Sequence, residues 1–277
     1  MEDKMKISLY TVTKNEEARL PLMLEAAAPL ADEIIVVDSG STDRTRDVAE
    51  RYGAKFIHHD WTSIGHQVAF AESCCSNEWV LRLDADEVMS KELLEEIMKI
   101  KKNGPDCDGY KLRSGEMFPG YSKPNRWVKH YQLVRLYSRK AMRMSGKFGF
   151  DDVVFIKKTP QTRLLYNFIN HYSFLSIRRT VEKRNVATDD QVKRALLEHK
   201  NYSPWRMVGC MVGNFFRYFI LERYFLYGFW GFIHSVNVGY MRFLKFSKFY
   251  EYHQIREHGY MGCEKKNELY ESEVGKG

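Results

Sequence analysis

The chain has 277 residues, of which 44% are hydrophobic and 29% are charged. This length suits one large domain or a domain with a smaller companion, and the composition excludes a disordered chain. The net charge of +7 is unevenly spread, because residues 1–100 carry −9 and the remainder carries +16. Such asymmetry suggests two roles within one chain. The basic part has no zinc-finger spacing and no RNA-binding aromatic motif, so no nucleic acid is expected as a partner.

The five cysteines are odd in number and show no C-x-x-C spacing. This pattern argues against a disulfide framework and against a zinc site, and it indicates reduced thiols. The first residues lead directly into a predicted strand without the apolar segment of a signal peptide. Both features predict a cytoplasmic protein.

Strand-like and helix-like patterns alternate through the first hundred residues. Strands are predicted at 7–12, 34–37, 55–58 and 79–83, and helices at 19–30, after 41, at 67–75 and at 91–101. Ser41 or Thr42 is expected to cap the second helix, and Ser90 the fourth. This alternation predicts an α/β fold with right-handed crossovers and a mostly parallel sheet flanked by helices.

Polar side chains follow three of these predicted strands, namely Asn15, Asp38 and Asp84. Ligands of parallel sheets bind beyond the carboxyl ends of the strands. We therefore expect these three residues to lie along one edge of the sheet, although they are far apart in sequence.

Beyond residue 109 the pattern changes. Further strands are predicted at 131–137 and 168–172, and helices at 177–200, 205–227 and 229–252. The last stretch, 264–277, is polar and is expected to be a flexible tail.

The segment Asp84-Ala85-Asp86-Glu87 places three carboxylates directly after an apolar strand. These negative charges repel one another unless a cation compensates them. A hard divalent ion, Mg²⁺ or Mn²⁺, bound by one or two carboxylates together with phosphate oxygens, fits this pattern. The alternative is an acidic turn that starts the helix at 91–101.

Three ordered motifs, at 7–17 (ISLYTVTKNEE), 33–43 (EIIVVDSGSTD) and 79–87 (WVLRLDADE), resemble the family 2 glycosyltransferases of the GT-A fold. Within that family the chain is similar to the branch that includes lipopolysaccharide core glycosyltransferases. The resemblance implies a Rossmann-like nucleotide-binding half and inverting transfer from a nucleoside-diphosphate sugar, a UDP-sugar above all. The implied acceptor is a saccharide or lipid-linked saccharide; transfer to a polyprenyl phosphate or a peptide, or a non-catalytic nucleotide-sugar-binding protein, are the alternatives.

The resemblance also implies site residues. The implied nucleotide-sugar site comprises Thr11, Thr13, Asn15, Glu16, Asp38, Asp84 and Ala85. Asp86 and His171 are the implied metal ligands. Each has a plainer interpretation: Asp38 as a turn cap, Glu16 as a solvated helix residue, and His171 as a packed, hydrogen-bonded histidine.

An inverting transferase needs a base that takes the proton of the acceptor hydroxyl. The related branch often has a His-Glu pair where this chain reads Phe150-Asp151-Asp152, which makes Asp152 the implied base. Asp151 and Glu116 are possible substitutes, and an exposed acidic turn is the alternative. Relatives commonly carry a basic residue and Asn near Val68-Ala69, so the donor sugar is expected to differ from theirs.

The implied domains are a GT-A-type domain at 1–175, with a nucleotide-sugar half at 1–105 and an acceptor half at 106–175, then a helical region at 176–263 and the tail.

Two helical segments of the region 176–263 mix aromatic and basic residues. One stripe comprises Val212, Phe215, Phe216, Phe219 and Ile220, and a second comprises Arg242, Phe243, Lys245, Phe246, Lys248 and Phe249. They predict either peripheral contact with the anionic inner face of the cytoplasmic membrane or internal packing. The charge-free window 224–241 contains polar residues and glycines and is not interpreted as a membrane span.

Overall fold

A computed structural model of the protein describes residues 5–174, 176–198, 203 and 205–259. The strands are β1 (Ile7–Thr13), β2 (Glu33–Asp38), β3 (Lys55–His58), β4 (Trp79–Arg82), β5 (Glu87–Met89), β6 (Gly109–Glu116), β7 (Tyr131–Ser138), β8 (Met142–Met144), β9 (Val153–Phe155) and β10 (Thr162–His171). The helices are α1 (Leu20–Ala27), α2 (Thr45–Arg51), α3 (Ile64–Ser73), α4 (Lys91–Asn103), α5 (Ile177–Leu197), α6 (Trp205–Phe216) and α7 (Gly228–His258).

Eight of these strands form one sheet in the order β3-β2-β1-β4-β7-β6-β10-β5. The neighbours β3, β2, β1 and β4 are parallel, as are β6 and β10, whereas β7 and β5 run antiparallel to their neighbours. β8 and β9 form a separate antiparallel pair. The expected α/β fold with a mostly parallel sheet is confirmed.

Apolar cores cover both faces of this sheet. Residues of α1, α2 and α4 pack in one core with β1 and β4, and residues of α3 pack in another with β2 and β7. This burial explains why Ile35, Val36 and Val37 form a continuous apolar run, since a central parallel strand has no solvent-facing side.

Helix starts follow the expected capping chemistry at one position and depart from it at another. Ser90 caps α4 as predicted, because its side chain accepts a hydrogen bond from the N–H of Leu93. The prediction that Ser41 or Thr42 caps the second helix is wrong. That helix begins at Thr45, whose N–H donates to the carboxylate of Asp43, while Ser41 is used in the preceding turn.

The chain divides into two compact units, residues 1–124 with 130–173, and residues 125–129 with 174–277. The first unit carries all the strands named above. The expected domain boundaries stay a prediction, and the expected tail at 264–277 lies outside the described residues.

The second unit contains α5, α6 and α7. Gly239 of α7 lies where an added Cβ would come within 2.7 Å of the Met211 carbonyl oxygen of α6, so the two helices approach closely there. Phe249 packs with Val192 and Ala195 of α5, and Lys248 forms an ion pair with Asp189 at 2.6 Å. At Lys248 and Phe249 the membrane interpretation of the second stripe is therefore wrong, because both residues serve internal packing.

No helix within the described residues combines the length and the apolar character needed to cross a bilayer.

Candidate active site

The carboxylate of Asp38 lies at the carboxyl end of β2 and is only 2% exposed. Its Oδ1 accepts hydrogen bonds from the backbone N–H groups of Gly40 (2.9 Å) and Ser41 (2.7 Å). Its Oδ2 accepts from the hydroxyls of Ser41 and Thr13. Asp38 thus caps its own turn, as its plainer interpretation proposed, and its nucleotide contact stays a prediction.

Asn15 ties the end of β1 to the same turn. Its φ of +56° is in the left-handed region, which asparagine tolerates better than most residues. Its backbone N–H donates to Ser41 Oγ (2.7 Å), and its Oδ1 accepts from the N–H of Thr42 (2.8 Å). Asn15 and Asp38 therefore meet at one edge of the sheet, as predicted from their positions after the strands.

Thr11 differs from these neighbours. Its hydroxyl is buried within β1 and has no hydrogen-bond partner in the part of the chain that the structure describes. Buried polar atoms are usually satisfied, so an unpaired hydroxyl two residues before Thr13 is an unusual feature of this strand.

Two buried arginines hold the acidic segment after β4. Arg82, in β4, contacts Asp84 Oδ1 at 3.1 Å. Arg135, in β7, contacts Asp84 Oδ2 at 3.2 Å and Glu87 Oε1 at 2.8 Å. Both arginines are only 3% exposed. The repulsion among these carboxylates is thus relieved in part by the chain's own cations.

These contacts also set the charge state of Asp84. Burial raises the pKa of Asp84, but the guanidinium groups of Arg82 and Arg135 outweigh burial and hold that pKa well below its ordinary value. Asp84 is therefore a carboxylate throughout the physiological pH range.

Asp86 belongs to a second network. Its Oδ2 lies 3.1 Å from a guanidinium nitrogen of Arg19, which also binds Glu16. Its Oδ1 lies 3.6 Å from Nε2 of His171. The other ring nitrogen of His171 is 3.1 Å from Glu116 Oε1. The two implied metal ligands, Asp86 and His171, are therefore neighbours.

The position of His171 follows from strand pairing, since β10 sets it opposite Glu87 of β5 and Glu116 of β6. Burial lowers the pKa of His171, but the carboxylates of Asp86 and Glu116 outweigh burial and raise it well above its ordinary value. His171 is hydrogen-bonded, as its plainer interpretation required, and it also stands beside the candidate metal ligand.

The donor set can be compared with the needs of a divalent ion. Among the described residues, no group of three or more His, Cys, Asp and Glu side chains forms a metal site. Mg²⁺ bound with phosphates needs only one or two carboxylates, because phosphate oxygens and water complete its shell. Asp86, with His171 beside it, supplies such an incomplete set, and the residues fit an ion that binds together with a diphosphate.

The two aspartates at 151 and 152 have different surroundings. Asp151 binds Arg82 through its side chain (3.0 Å) and its carbonyl oxygen (3.0 Å), so it stands beside Asp84. Asp152 Oδ1 accepts from the hydroxyl of Ser145 at 2.6 Å, and within the described residues its side chain makes no hydrogen bond or ion pair with the acidic segment. The preceding loop lies against α3 at Gly65, where a Cβ would come within 1.9 Å of the Lys147 carbonyl oxygen.

Three features were not foreseen from the sequence. Arg135 and Arg19 reach the acidic segment from parts of the chain that are distant in sequence. For Arg135, the one signal in the sequence was a charged residue at the buried end of a predicted strand. The side chain of Ala85 lies in the apolar core, so a contact with a nucleotide sugar is open only to its backbone. Val68 is fully buried in the core on the α3 side of the sheet, which accounts for its apolar character.

Comparisons with known proteins agree with this architecture. The family model described as Glycosyl transferase family 2 matches residues 8–184. An uncharacterized glycosyltransferase of Rickettsia typhi is 36% identical over 87% of this chain and 85% of its own length. The lipopolysaccharide core biosynthesis glycosyltransferase LpsC of Rhizobium meliloti is 24% identical over 92% of this chain and 96% of its own.

Among solved structures, TarS of S. aureus is similar over 92% of each chain, with 14% identity and a TM-score of 0.45. The family match covers more than half of the chain, and the Rickettsia relative exceeds 30% identity across most of it. The chain belongs to glycosyl transferase family 2 and is a glycosyltransferase.

Proposed function

We propose that this glycosyltransferase is an inverting, metal-dependent enzyme that moves a sugar from a UDP-sugar to a saccharide or lipid-linked saccharide acceptor. The observation that carries the proposal is that Asn15, Asp38 and Asp84 follow the carboxyl ends of the neighbouring parallel strands β1, β2 and β4, and that Arg19 joins Asp86 to Glu16 beside Asn15. Ligands of such sheets bind at that edge.

The acceptor belongs to lipopolysaccharide core or another cell-surface glycan, and the enzyme works at the inner face of the cytoplasmic membrane. The similarity to LpsC, which extends over 92% of this chain, supports this acceptor class. A peripheral membrane contact suits an acceptor that is linked to lipid.

The polar turn and the first carboxylate bind the nucleotide side of the donor. Asp38 and Asp84 accept hydrogen bonds from base and ribose, and Thr11 has a buried hydroxyl still available for a partner. Contacts from the backbone or side chains of nearby residues complete this site: Thr13, Asn15, Glu16 and Ala85.

Asp86 and His171 would hold Mg²⁺ or Mn²⁺ together with the donor diphosphate, and a bound ion would neutralise the negative charge that develops on the leaving diphosphate. Asp86 would serve as a ligand once Arg19 releases the Oδ2 atom of Asp86, and His171 would serve once it loses the proton on a ring nitrogen. Asp84 keeps its two arginine contacts and stays oriented at the nucleotide.

Asp152 takes the proton of the acceptor hydroxyl as its oxygen bonds to the anomeric carbon and the bond to the diphosphate breaks. The carboxylate of Asp152 is exposed and has one hydroxyl partner, Ser145, so it keeps accepting capacity. Asp151 is engaged by Arg82 through two groups and anchors the segment; it is the alternative base.

Thermal-shift measurements with UDP, GDP, CDP and their sugars, with Mn²⁺ or with EDTA, test the donor and the metal together. A specific ligand raises the melting temperature by mass action, so we expect stabilisation by UDP that requires Mn²⁺. Asp86→Asn should remove this stabilisation, whereas the matched change at the 96% exposed side chain of Asp60, Asp60→Asn, should not. Stabilisation of the Asp86→Asn protein by UDP and Mn²⁺ equal to the parent would refute the metal role.

The role of Asp152 as the general base is tested by measuring the turnover of a UDP-sugar with saccharide acceptors. Removal of a general base lowers kcat by about 100-fold or more. We expect this loss in Asp152→Asn with donor binding retained. If kcat falls only in Asp151→Asn, Asp151 is the general base instead. If both variants turn over as fast as the parent, neither aspartate is the general base.

A further inference from the structure

The second unit presents an apolar face that the described residues of that unit leave exposed. Along α6 and the helical turn that follows it, five apolar residues recur every three or four positions and are at least 48% exposed: Trp205, Val208, Val212, Phe216 and Ile220. Leu221, the last residue of that turn, and Phe229, at the start of α7, are each 75% exposed. Contiguous apolar surface of this kind marks an interaction site in proteins.

A basic pocket adjoins this face. Its volume is about 360 Å³, and Arg126, Lys129, Arg223 and the 65% exposed Trp127 line it together with Leu221. Leu221 therefore belongs both to the apolar face and to the pocket wall.

Charge in this region is strongly one-sided. Residues 125–129 and 205–229 contain five basic residues, and their single acidic residue is Glu222. Glu222 is buried and is held by Arg217 at 3.0 Å, with Lys129 4.0 Å away. Arg223 has no ion pair within the described residues, so an excess of positive charge faces solvent at the pocket.

The backbone at the pocket is also unusual. Arg223 has a φ of +64°, a left-handed conformation that is uncommon outside glycine. Such conformations persist where the surrounding structure enforces them, and they cluster at binding sites. Arg223, the residue in this conformation, lines the pocket together with Leu221.

We propose that this surface docks on an anionic phospholipid bilayer: the pocket of Arg126, Lys129 and Arg223 binds a lipid phosphate, and Leu221, Phe229 and the exposed face of α6 enter the acyl boundary. Apolar residues flanked by Lys and Arg are the arrangement that binds helices to such membranes. Trp127 suits the interface between headgroups and water. This inference rests on the membrane contact in the proposed function and identifies the surface that makes it.

Co-sedimentation of the full chain with vesicles tests the docking. We expect binding to vesicles of phosphatidylcholine with phosphatidylglycerol, weaker binding in 0.5 M NaCl because salt screens the charges, and little binding to phosphatidylcholine alone. Lys129→Gln with Arg223→Gln should lower partitioning about thirty-fold, from the usual contribution of each basic residue near an anionic surface. Leu221→Ser with Phe229→Ser should lower it at least tenfold.

Matched controls come from the first unit. Lys55→Gln with Lys158→Gln removes the same charge, and Phe155→Ser removes an aromatic residue that is 58% exposed; neither should alter partitioning. No vesicle binding by the parent chain, or equal losses in the control variants, would overturn the proposal. Stabilisation of the parent by glycerol phosphate without vesicle binding would overturn it in favour of a soluble phosphate ligand.

The same samples separate this proposal from the catalytic one. Turnover of UDP-sugar with a soluble acceptor should be unchanged in the docking variants, because these residues lie outside the candidate active site. Vesicle binding without turnover would support the docking surface and refute the catalytic proposal. Turnover without vesicle binding would support the catalytic proposal and refute the docking surface.

Discussion

The two parts of the candidate active site are held in place by different interactions. At the turn after β2, Asp38 is satisfied by backbone N–H groups and hydroxyls, most of them within three residues. At the segment after β4, the carboxylates are held by guanidinium groups, and Arg135 comes from a strand 51 residues away. The first part is therefore built from neutral local donors, whereas the second exists only once the sheet has assembled.

This difference predicts unequal costs of mutation. The largest effect is expected for Arg135→Met, which leaves the buried Glu87, and one oxygen of the partly exposed Asp84, without their cation. Breaking a buried ion pair by removing one partner costs about 3–5 kcal/mol of unfolding free energy. Urea denaturation measures it, and Arg163→Met, which removes an ion pair that is half exposed, should cost about 1 kcal/mol or less.

A double variant sharpens this test. Glu87→Gln added to Arg135→Met removes the uncompensated charge and keeps an oxygen for the N–H of Asp84. We expect the double variant to regain part of the lost stability. A single Arg135→Met variant as stable as Arg163→Met would show that the guanidinium does not hold the segment.

A smaller loss is expected at the turn. Asp38→Ala leaves the N–H groups of Gly40 and Ser41 without their acceptor; because Gly40 is exposed and Ser41 is partly exposed, water replaces part of the lost bonding, and we expect a total cost of about 1–3 kcal/mol. The cost stays below that of Arg135→Met because no charge is left unpaired. Urea denaturation beside the exposed control Asp60→Ala measures it; a loss larger than that of Arg135→Met would reverse the proposed order of the two parts.

The charge balance at Asp86 leads to a third prediction, on metal affinity. Arg19 lies 3.1 Å from Asp86 Oδ2, where a bound cation would compete with it. Arg19→Met should therefore strengthen Mn²⁺ binding in the presence of UDP by about tenfold, given the repulsion between neighbouring charges near a protein surface. Mn²⁺ electron paramagnetic resonance reports free and bound ion directly, without turnover. Arg44→Met, at an exposed ion pair, is the control; weaker binding in Arg19→Met would mean that Arg19 supports the site.

The same contrast explains how much could be predicted from the sequence. Strands β1 to β4 and β7, and the meeting of Asn15 with Asp38, followed from local apolar runs and from the geometry of parallel sheets, whereas the short strands β5, β8 and β9 were not predicted. The cap of α2 was misassigned because Asp38 and Asn15 compete for Ser41 and Thr42, which leaves Asp43 for the helix.

The partners of the acidic segment could not be derived in this way. A run of carboxylates indicates that cations are needed, but only the pairing of β7 with β4 brings Arg135 to them. The spacing of the aromatic residues in the two stripes could not distinguish buried from exposed side chains. Phe249 is buried against α5 and Phe216 is exposed, although both follow the same helical spacing in the sequence.

The smallest predicted effect isolates the backbone of the turn. Asn15→Ala and Asn15→Gly both remove the amide that accepts from Thr42, so the difference between them reports the backbone conformation at a φ of +56° and not the lost hydrogen bond. Alanine is strained in that region by about 1 kcal/mol and glycine is not, so Asn15→Gly should be the more stable variant by about that amount. Glycine also loses more backbone entropy on folding, which makes this an upper value. Urea denaturation of the two proteins decides it: equal stability, or a more stable alanine variant, would mean that the turn relaxes when its side-chain bond is lost. In that case local hydrogen bonds, and not backbone conformation, hold the nucleotide side of the site.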